Sequence, residues 1–265
     1  MKRTGILWFL AVLITLVSAY WQRTTGPTYP LRGQVSLAGD VFAYKLERSH
    51  GGPTDQPVQV TVPSAAIQGE VRWRRYPTAD RWERVEMRHD GRALVAALPN
   101  QPPAGKLEYQ VALMRGAEAA VFPTPPAVTR FKGEVAPWIL VPHVLAMFLF
   151  MLIGTRAGLG ALVGHDVKRL VYHAAGLLVL GGFVLGPAVQ QQAFNEWWAG
   201  VPYGWDLTDN KTLVAGLAWA WAVIQLARRK PARAAIAAAA VITLAVFAIP
   251  HSAWGSQIDW QNQAR

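Results

Sequence analysis

Apolar residues fall into two regimes along this chain. Gly5–Tyr20 is an almost unbroken apolar run, and four more follow in the second half: Pro137–Thr155, Leu170–Val189, Thr212–Ala227 and Ala232–Ile249. Each approaches the ~20 residues a helix needs to cross ~30 Å of hydrocarbon. Between Trp21 and Val135 the pattern changes to short alternations: Gln34–Leu37, Val41–Leu46, Val58–Val62, Glu70–Tyr76, Arg84–Arg88, Arg92–Leu98, Lys106–Met114 and Val128–Lys132. Turn formers such as Ser49-His50-Gly51-Gly52-Pro53 and His89-Asp90-Gly91 separate them. Period-two alternation with regular turn signals predicts an antiparallel β-sandwich. The expected fold class is therefore an α+β membrane protein: an N-terminal transmembrane helix, an exported sandwich, then a four-helix transmembrane bundle.

Charge orients these segments. Lys2, Arg3, Arg156, Lys168, Arg169, Arg228, Arg229, Lys230 and Arg233 flank the apolar runs on one proposed face, with Asp166 the one acid among them. That is the bias of short cytoplasmic loops. It predicts a multi-pass protein of the bacterial inner membrane, N-terminus cytoplasmic and C-terminus periplasmic. Residues 1–21 form an anchor or a signal peptide. Val17-Ser18-Ala19 suits a signal peptidase, whereas Tyr20-Trp21 suits an interfacial belt and favours the anchor. Residues 22–135 form the periplasmic domain, with Phe122-Pro123-Thr124-Pro125-Pro126 read as a linker. Residues 136–265 form the membrane domain, with a Trp-rich outer loop at 190–211 and a periplasmic tail expected to fold back over it.

Composition then removes some chemistry. With no Cys there is no disulfide framework, thiolate metal site or c-type haem attachment. The net charge of +10 is accounted for largely by topology, so no nucleic-acid partner is expected. Arg72, Arg74, Arg75, Arg81, Arg84, Arg88 and Arg92 lie among Asp80, Glu83, Glu86 and Asp90, which suits a solvated strand face better than an anion-binding one. The chain contains no His-Glu-x-x-His pair, nucleotide loop or Gly-x-Ser-x-Gly elbow.

The segment Ala97-Leu98-Pro99 to Gly105-Lys106-Leu107-Glu108-Tyr109-Gln110-Val111 resembles the late strands of fibronectin type III and immunoglobulin-like modules. The resemblance implies a Tyr hydroxyl that bonds back to the preceding corner.

The densest polar cluster is in the outer loop. Asp206, Thr208, Asp209 and Asn210 immediately precede an apolar run, where their oxygens can cap free helix amides. Lys211 opposes the helix dipole and is expected to pair with Asp206, Asp209 or Glu196. A cap needs one such residue, so Glu196, Asp206, Asp209, Asn210 and Lys211 stay candidates for a ligand or proton site. Trp197, Trp198, Tyr203 and Trp205 are expected among lipid headgroups. His143, within a span, and His251, after the last one, are candidate haem or copper ligands, although His143 also reads as a buried imidazole bonded to a neighbouring helix or backbone carbonyl and His251 as an ordinary interfacial residue. His165 and His173 could mark a second site at the opposite leaflet. Gly154, Gly158, Gly182 and Gly186 have the spacing of close helix packing, within the chain or between copies.

Asp-Leu-Thr-Asp-Asn-Lys at 206–211 and Ile249-Pro250-His251-Ser252 are similar to stretches of uncharacterised bacterial inner-membrane proteins with an exported sandwich, a resemblance that implies no activity. The leading expectation is a non-enzymatic binding or assembly protein without a cofactor, with the bilayer and a membrane or periplasmic protein as partners. A homo-oligomer is compatible with it. The alternatives are a redox subunit holding haem b or copper through His143 and His251, and a small proton-coupled transporter.

Overall fold

The computed structural model describes residues 2–251, 253, 255 and 257–260. It is an α+β fold that divides into two compact units, Met1–Pro27 with Val135–Ser256, and Thr28–Glu134 with Gln257–Arg265.

In the strand-rich unit, β1 (Leu31–Leu37) and β2 (Asp40–Leu46) form an antiparallel ribbon. Its two-residue turn, Ala38-Gly39, has both φ angles positive, at 50° and 81°. This primed turn matches the natural twist of paired strands. The remaining strands are β3 (Ser49–Gly51), β4 (Gln56–Thr61), β5 (Gln68–Arg75), β6 (Glu83–Asp90), β7 (Ala93–Leu98), β8 (Lys106–Arg115) and β9 (Glu118–Lys132). They make one seven-stranded sheet in the order β3-β9-β8-β5-β6-β7-β4. The sheet is mixed rather than purely antiparallel, because β3 runs parallel to β9. Alternation along β5 buries Val71 and Trp73 and turns Arg72 and Arg74 outward. Those inward residues join Val58, Val60, Leu94, Leu107, Val111 and Phe131 in one core, to which the ribbon adds Leu37, Phe42 and Leu46.

Two local expectations change here. The Pro-rich stretch 122–126 is part of β9 and not a linker. Proline donates nothing to a ladder, and the strand accommodates it with a register shift between Tyr109 and Val111. The Gln110 side-chain amide donates to the Pro123 carbonyl at 2.8 Å. The Tyr109 hydroxyl donates to the Glu47 carbonyl at 2.7 Å, just beyond β2, and not to the corner before its own strand. The Arg-rich strands carry ion pairs, among them Arg72–Glu70 and Arg74–Glu108 at 2.5 Å and Arg75–Asp80 at 2.7 Å.

In the helical unit, α1 (Lys2–Thr24), α2 (Pro137–Leu162), α3 (Lys168–Leu178), a π-helical turn (Val179–Leu185), α4 (Gly186–Phe194), α5 (Leu207–Ala227) and α6 (Arg233–Ala248) follow in order. Thr4–Thr24, Pro137–Leu162 and the continuous helix Lys168–Phe194 are long and apolar enough to cross a membrane, and α6 is a shorter apolar helix. Phe150, Val171, Leu178, Trp219, Ile236 and Phe247 pack with a series of alanines into its core. Large apolar side chains such as Phe9, Leu16, Leu145, Phe148, Leu217 and Val241 lie on its outside.

Small residues meet large ones inside this unit. A Cβ on Gly154 would lie 2.8 Å from Trp219, and one on Gly158 would overlap Ala240. On Gly182 it would lie 2.7 Å from Thr212. Gly186 differs: its neighbours are the Gly181 carbonyl and the His143 ring, so it lines the π turn rather than a helix seam.

The helix ends extend further than the apolar runs. Helix α2 continues to Leu162, the third rod begins at Lys168 and ends at Phe194, and α5 begins at Leu207. The outer loop is thus 195–206. Gln190, Gln191 and Gln192 are helical, and Gln192 Oε1 accepts the Ala136 amide at 2.7 Å, serving the start of α2. Of the tail, Gln257 accepts from Lys106 Nζ at 3.0 Å, and the Trp260 ring lies 5.3 Å from the Arg75 guanidinium. Ser252, Trp254 and Ser256, on which the tail reading also rested, lie outside the described residues.

Candidate functional site

The loop and the start of α5 form one hydrogen-bonded assembly. Asp206 is the N-cap, accepting from the amides of Thr208 at 2.8 Å and Asp209 at 3.4 Å. That single residue satisfies the local need for a cap. Asp209 does something else: its Oδ2 accepts the Ala199 amide at 2.6 Å and the Gly200 amide at 3.1 Å. Asn210 Oδ1 accepts the Val201 amide at 2.8 Å. The surplus of polar residues before the helix therefore clamps the loop backbone onto the first turn. Gly200 fits because a Cβ there would lie 2.7 Å from that of Asp209. Burial holds the Asp209 carboxyl above the usual carboxylate range, against the lowering effect of its amide partners.

Lys211 departs from expectation. It is 2% exposed, and its Nζ donates to the carbonyls of Ile249 at 2.8 Å and Pro250 at 3.3 Å. Among the described residues no ion pair includes it. It ties the end of α6 to the start of α5, just before the apolar run that opens at Thr212. Burial lowers its pKa to about 8, and Asp206 opposes that shift. Glu196 lies on the exposed stretch after α4.

The two histidines come into the same electrostatic neighbourhood. His143 Nδ1 lies 2.9 Å from the Gly181 carbonyl, which also accepts the Gly186 amide across the π turn. A carbonyl only accepts, so Nδ1 carries the proton and Nε2 keeps its lone pair. His251 Nδ1 lies 3.4 Å from Gln22 Nε2, whose better bond, 2.9 Å, goes to the Phe247 carbonyl. Desolvation, then the Lys211 ammonium and the His143 ring, lower the His251 pKa. His165 follows α2 and His173 lies on α3, at the opposite end of the rods from this cluster. Among the described residues no group of three or more His, Asp or Glu has the arrangement of a metal site.

Sequence reasoning missed Gln22, Gln192 and the π turn. Gln22 and Gln192 had one available signal, an amide side chain at the wet end of an apolar run. The π turn had the adjacent Gly181-Gly182 pair, of which only Gly182 enters the expected packing set.

Beyond the clamp, Tyr203 is 83% and Trp205 86% exposed, while Trp198 donates its indole N–H to the Val201 carbonyl at 3.1 Å and stacks on Phe183. No known protein family, curated protein or solved structure matches this chain.

Proposed function

We propose that this chain is a non-enzymatic binding or assembly protein of the bacterial inner membrane. Its helical unit is embedded as a transmembrane bundle, and residues 22–135 are exposed to the periplasm as an immunoglobulin- or fibronectin III-like recognition module. One observation carries the reading: the polar side chains at the end of the outer loop and the start of α5 bond to the chain's own backbone. Asp206, Asp209 and Asn210 bind loop or cap amides, and Lys211 binds two carbonyls. A proton carrier needs a carboxylate free to exchange, whereas these groups make a stiff ledge that displays aromatic rings. Exposed apolar side chains on the helices support the lipid-embedded placement, since large apolar exposure in water is unfavourable.

The test is a photo-crosslinking residue at Tyr203 or Trp205 in living cells, read on the full chain. A discrete protein adduct at these positions, absent when the probe replaces Gln59 on β4, supports the reading. Lipid adducts alone, with a protein that purifies by itself from mild detergent, overturn it.

A redox reading draws on one specific feature. His143 has one ring nitrogen anchored to a backbone carbonyl and the other, among the described residues, without a hydrogen bond, the arrangement that orients an imidazole ligand. A Soret band in the purified protein, lost in His143→Ala, would establish it.

A further inference from the structure

At the end of α2 remote from the loop, one cation is buried without an acid. Arg156 is 4% exposed, and its Nε and Nη1 atoms are both buried and lack a hydrogen-bond partner. Among the described residues no ion pair includes it. The Trp8 ring of α1 lies 5.5 Å from its guanidinium carbon. A cation–π contact centred on the guanidinium carbon supplies no acceptor atom to the N–H donors. Buried donors left unmade are costly, and a buried charge more so.

The direction of the side chain indicates what would answer them. Helical side chains lean toward the N-terminus, yet Nη1 of Arg156 lies 2.6 Å from where a Cβ on Gly160 would be, one turn toward the C-terminus. Gly160 leaves the space that this course requires. Helix α2 has 26 residues, about 39 Å of rise, so it overreaches a ~30 Å hydrocarbon core by roughly 4–5 Å at each end. Arg156 is six residues before Leu162, about 9 Å from the helix end, and so roughly 4–5 Å inside the boundary. An arginine there reaches for the headgroup layer. Its surroundings are cationic: Lys168 and Arg169 open α3, and Arg233 donates to the Gly164 carbonyl at 3.5 Å. Asp166, the acid of this turn, already accepts the Lys168 amide at 3.1 Å.

We infer that Arg156, lying over Gly160 beside the Trp8 ring, is a binding site for the phosphate of an anionic ligand, such as a phospholipid headgroup, at the basic face of the helical unit. Trp8 is 37% exposed, and an outward turn of its ring would open the guanidinium plane to a ligand. Phosphate oxygens are matched acceptors for those donors. This inference rests on the membrane placement proposed above.

The experiment uses the full chain in nanodiscs of phosphatidylcholine, with or without phosphatidylglycerol, and in a third arm phosphatidylcholine with inorganic phosphate. Native mass spectrometry reads bound lipid, and thermal unfolding reads stabilisation. Wild type should favour phosphatidylglycerol over phosphatidylcholine about fivefold more strongly than Arg156→Gln does, the effect of one cation near a charged surface. A photoactivatable phosphatidylglycerol should label wild-type peptides containing Trp8 or residues 154–162, which keeps the test decisive if Arg156→Gln does not fold. Stabilisation of wild type but not Arg156→Gln by inorganic phosphate would support the same site with a soluble source. Equal phosphatidylglycerol preference in wild type and variant, or labelling confined to residues 228–233, overturns the site while leaving the membrane placement intact. A chain that stays soluble and never enters the discs removes both.

Discussion

The Asp209 carboxylate holds the Ala199 amide at 2.6 Å across the loop that joins the third and fourth rods of the helical unit. The bond closes that loop from the helix side, and the same oxygen takes the Gly200 amide as well. Asp209→Ala leaves two backbone donors without an acceptor and should cost about 1.5–3 kcal/mol, the range for hydrogen bonds to a charged group. Asp209→Asn keeps an acceptor oxygen and removes a charge that burial already disfavours, so it should cost less. Thermal unfolding of the detergent-solubilised chain checks both. An alanine variant as stable as wild type would show that the loop holds without its clamp.

Lys211 makes a pH-dependent prediction. Its pKa is lowered by burial to about 8 from an ordinary 10.5. Below pH 8 both folded and unfolded chains carry this proton, and the burial penalty is present in full. Between pH 8 and 10.5 the unfolded chain binds more protons than the folded one, so stability attributable to this residue rises with pH. Lys211→Met lacks that contribution to the slope. The difference in unfolding temperature, wild type minus variant, should therefore increase from pH 8 to pH 10. A flat difference would mean that the buried ammonium is not destabilised.

What could be read from the sequence follows from how local each signal is. Apolar runs located all five rods, because a continuous apolar stretch of about 20 residues is a signal contained within its own segment, and Asp206 was legible as a cap because a cap acts within three residues. Interactions that close over long separations left little trace. Nothing near Lys211 announced that its partners would be carbonyls at 249 and 250, nor did Asp209 signal amides ten residues earlier. Charge rules favoured an ion pair, but burial at a helix end made free carbonyls the nearer acceptors. Pro123 and Pro125 misled in the opposite direction: a local breaker signal yielded to a strand that pairs with β8 on either side of them.

Gly154 and Trp219 make a packing prediction. The indole donates to Thr243 Oγ1 at 2.9 Å, and that hydroxyl donates in turn to the Ala239 carbonyl at 2.8 Å. The ring is thus pinned on one side by a hydrogen bond and on the other by the bare Gly154 backbone, 2.8 Å from where a Cβ would sit. Gly154→Ala should force the ring from its bond and cost about 1–3 kcal/mol, as overpacking of a tight core does. Trp219→Phe added to it should recover part of the loss, since the smaller ring yields space. If Gly154→Ala alone were neutral in thermal unfolding, α2 and α5 would be separated by more than this contact implies.

The Glu47 carbonyl accepts from two buried side chains at once, the Tyr109 hydroxyl at 2.7 Å and Gln56 Nε2 at 3.1 Å. Gln56 also takes the Thr129 hydroxyl at 2.6 Å, so strands β4, β8 and β9 converge on one residue after β2. Tyr109→Phe removes a single donor and should cost about 0.5–1.5 kcal/mol, because Gln56 still serves the carbonyl. Gln56→Leu should cost more, since it strands the Thr129 hydroxyl inside the core as well. The double variant leaves the carbonyl with neither donor, so its loss should exceed the sum of the two single losses by about 0.5 kcal/mol or more, the signature of a shared partner. Denaturant unfolding of all four proteins measures this coupling, and strict additivity would show that the carbonyl finds water when either donor is removed.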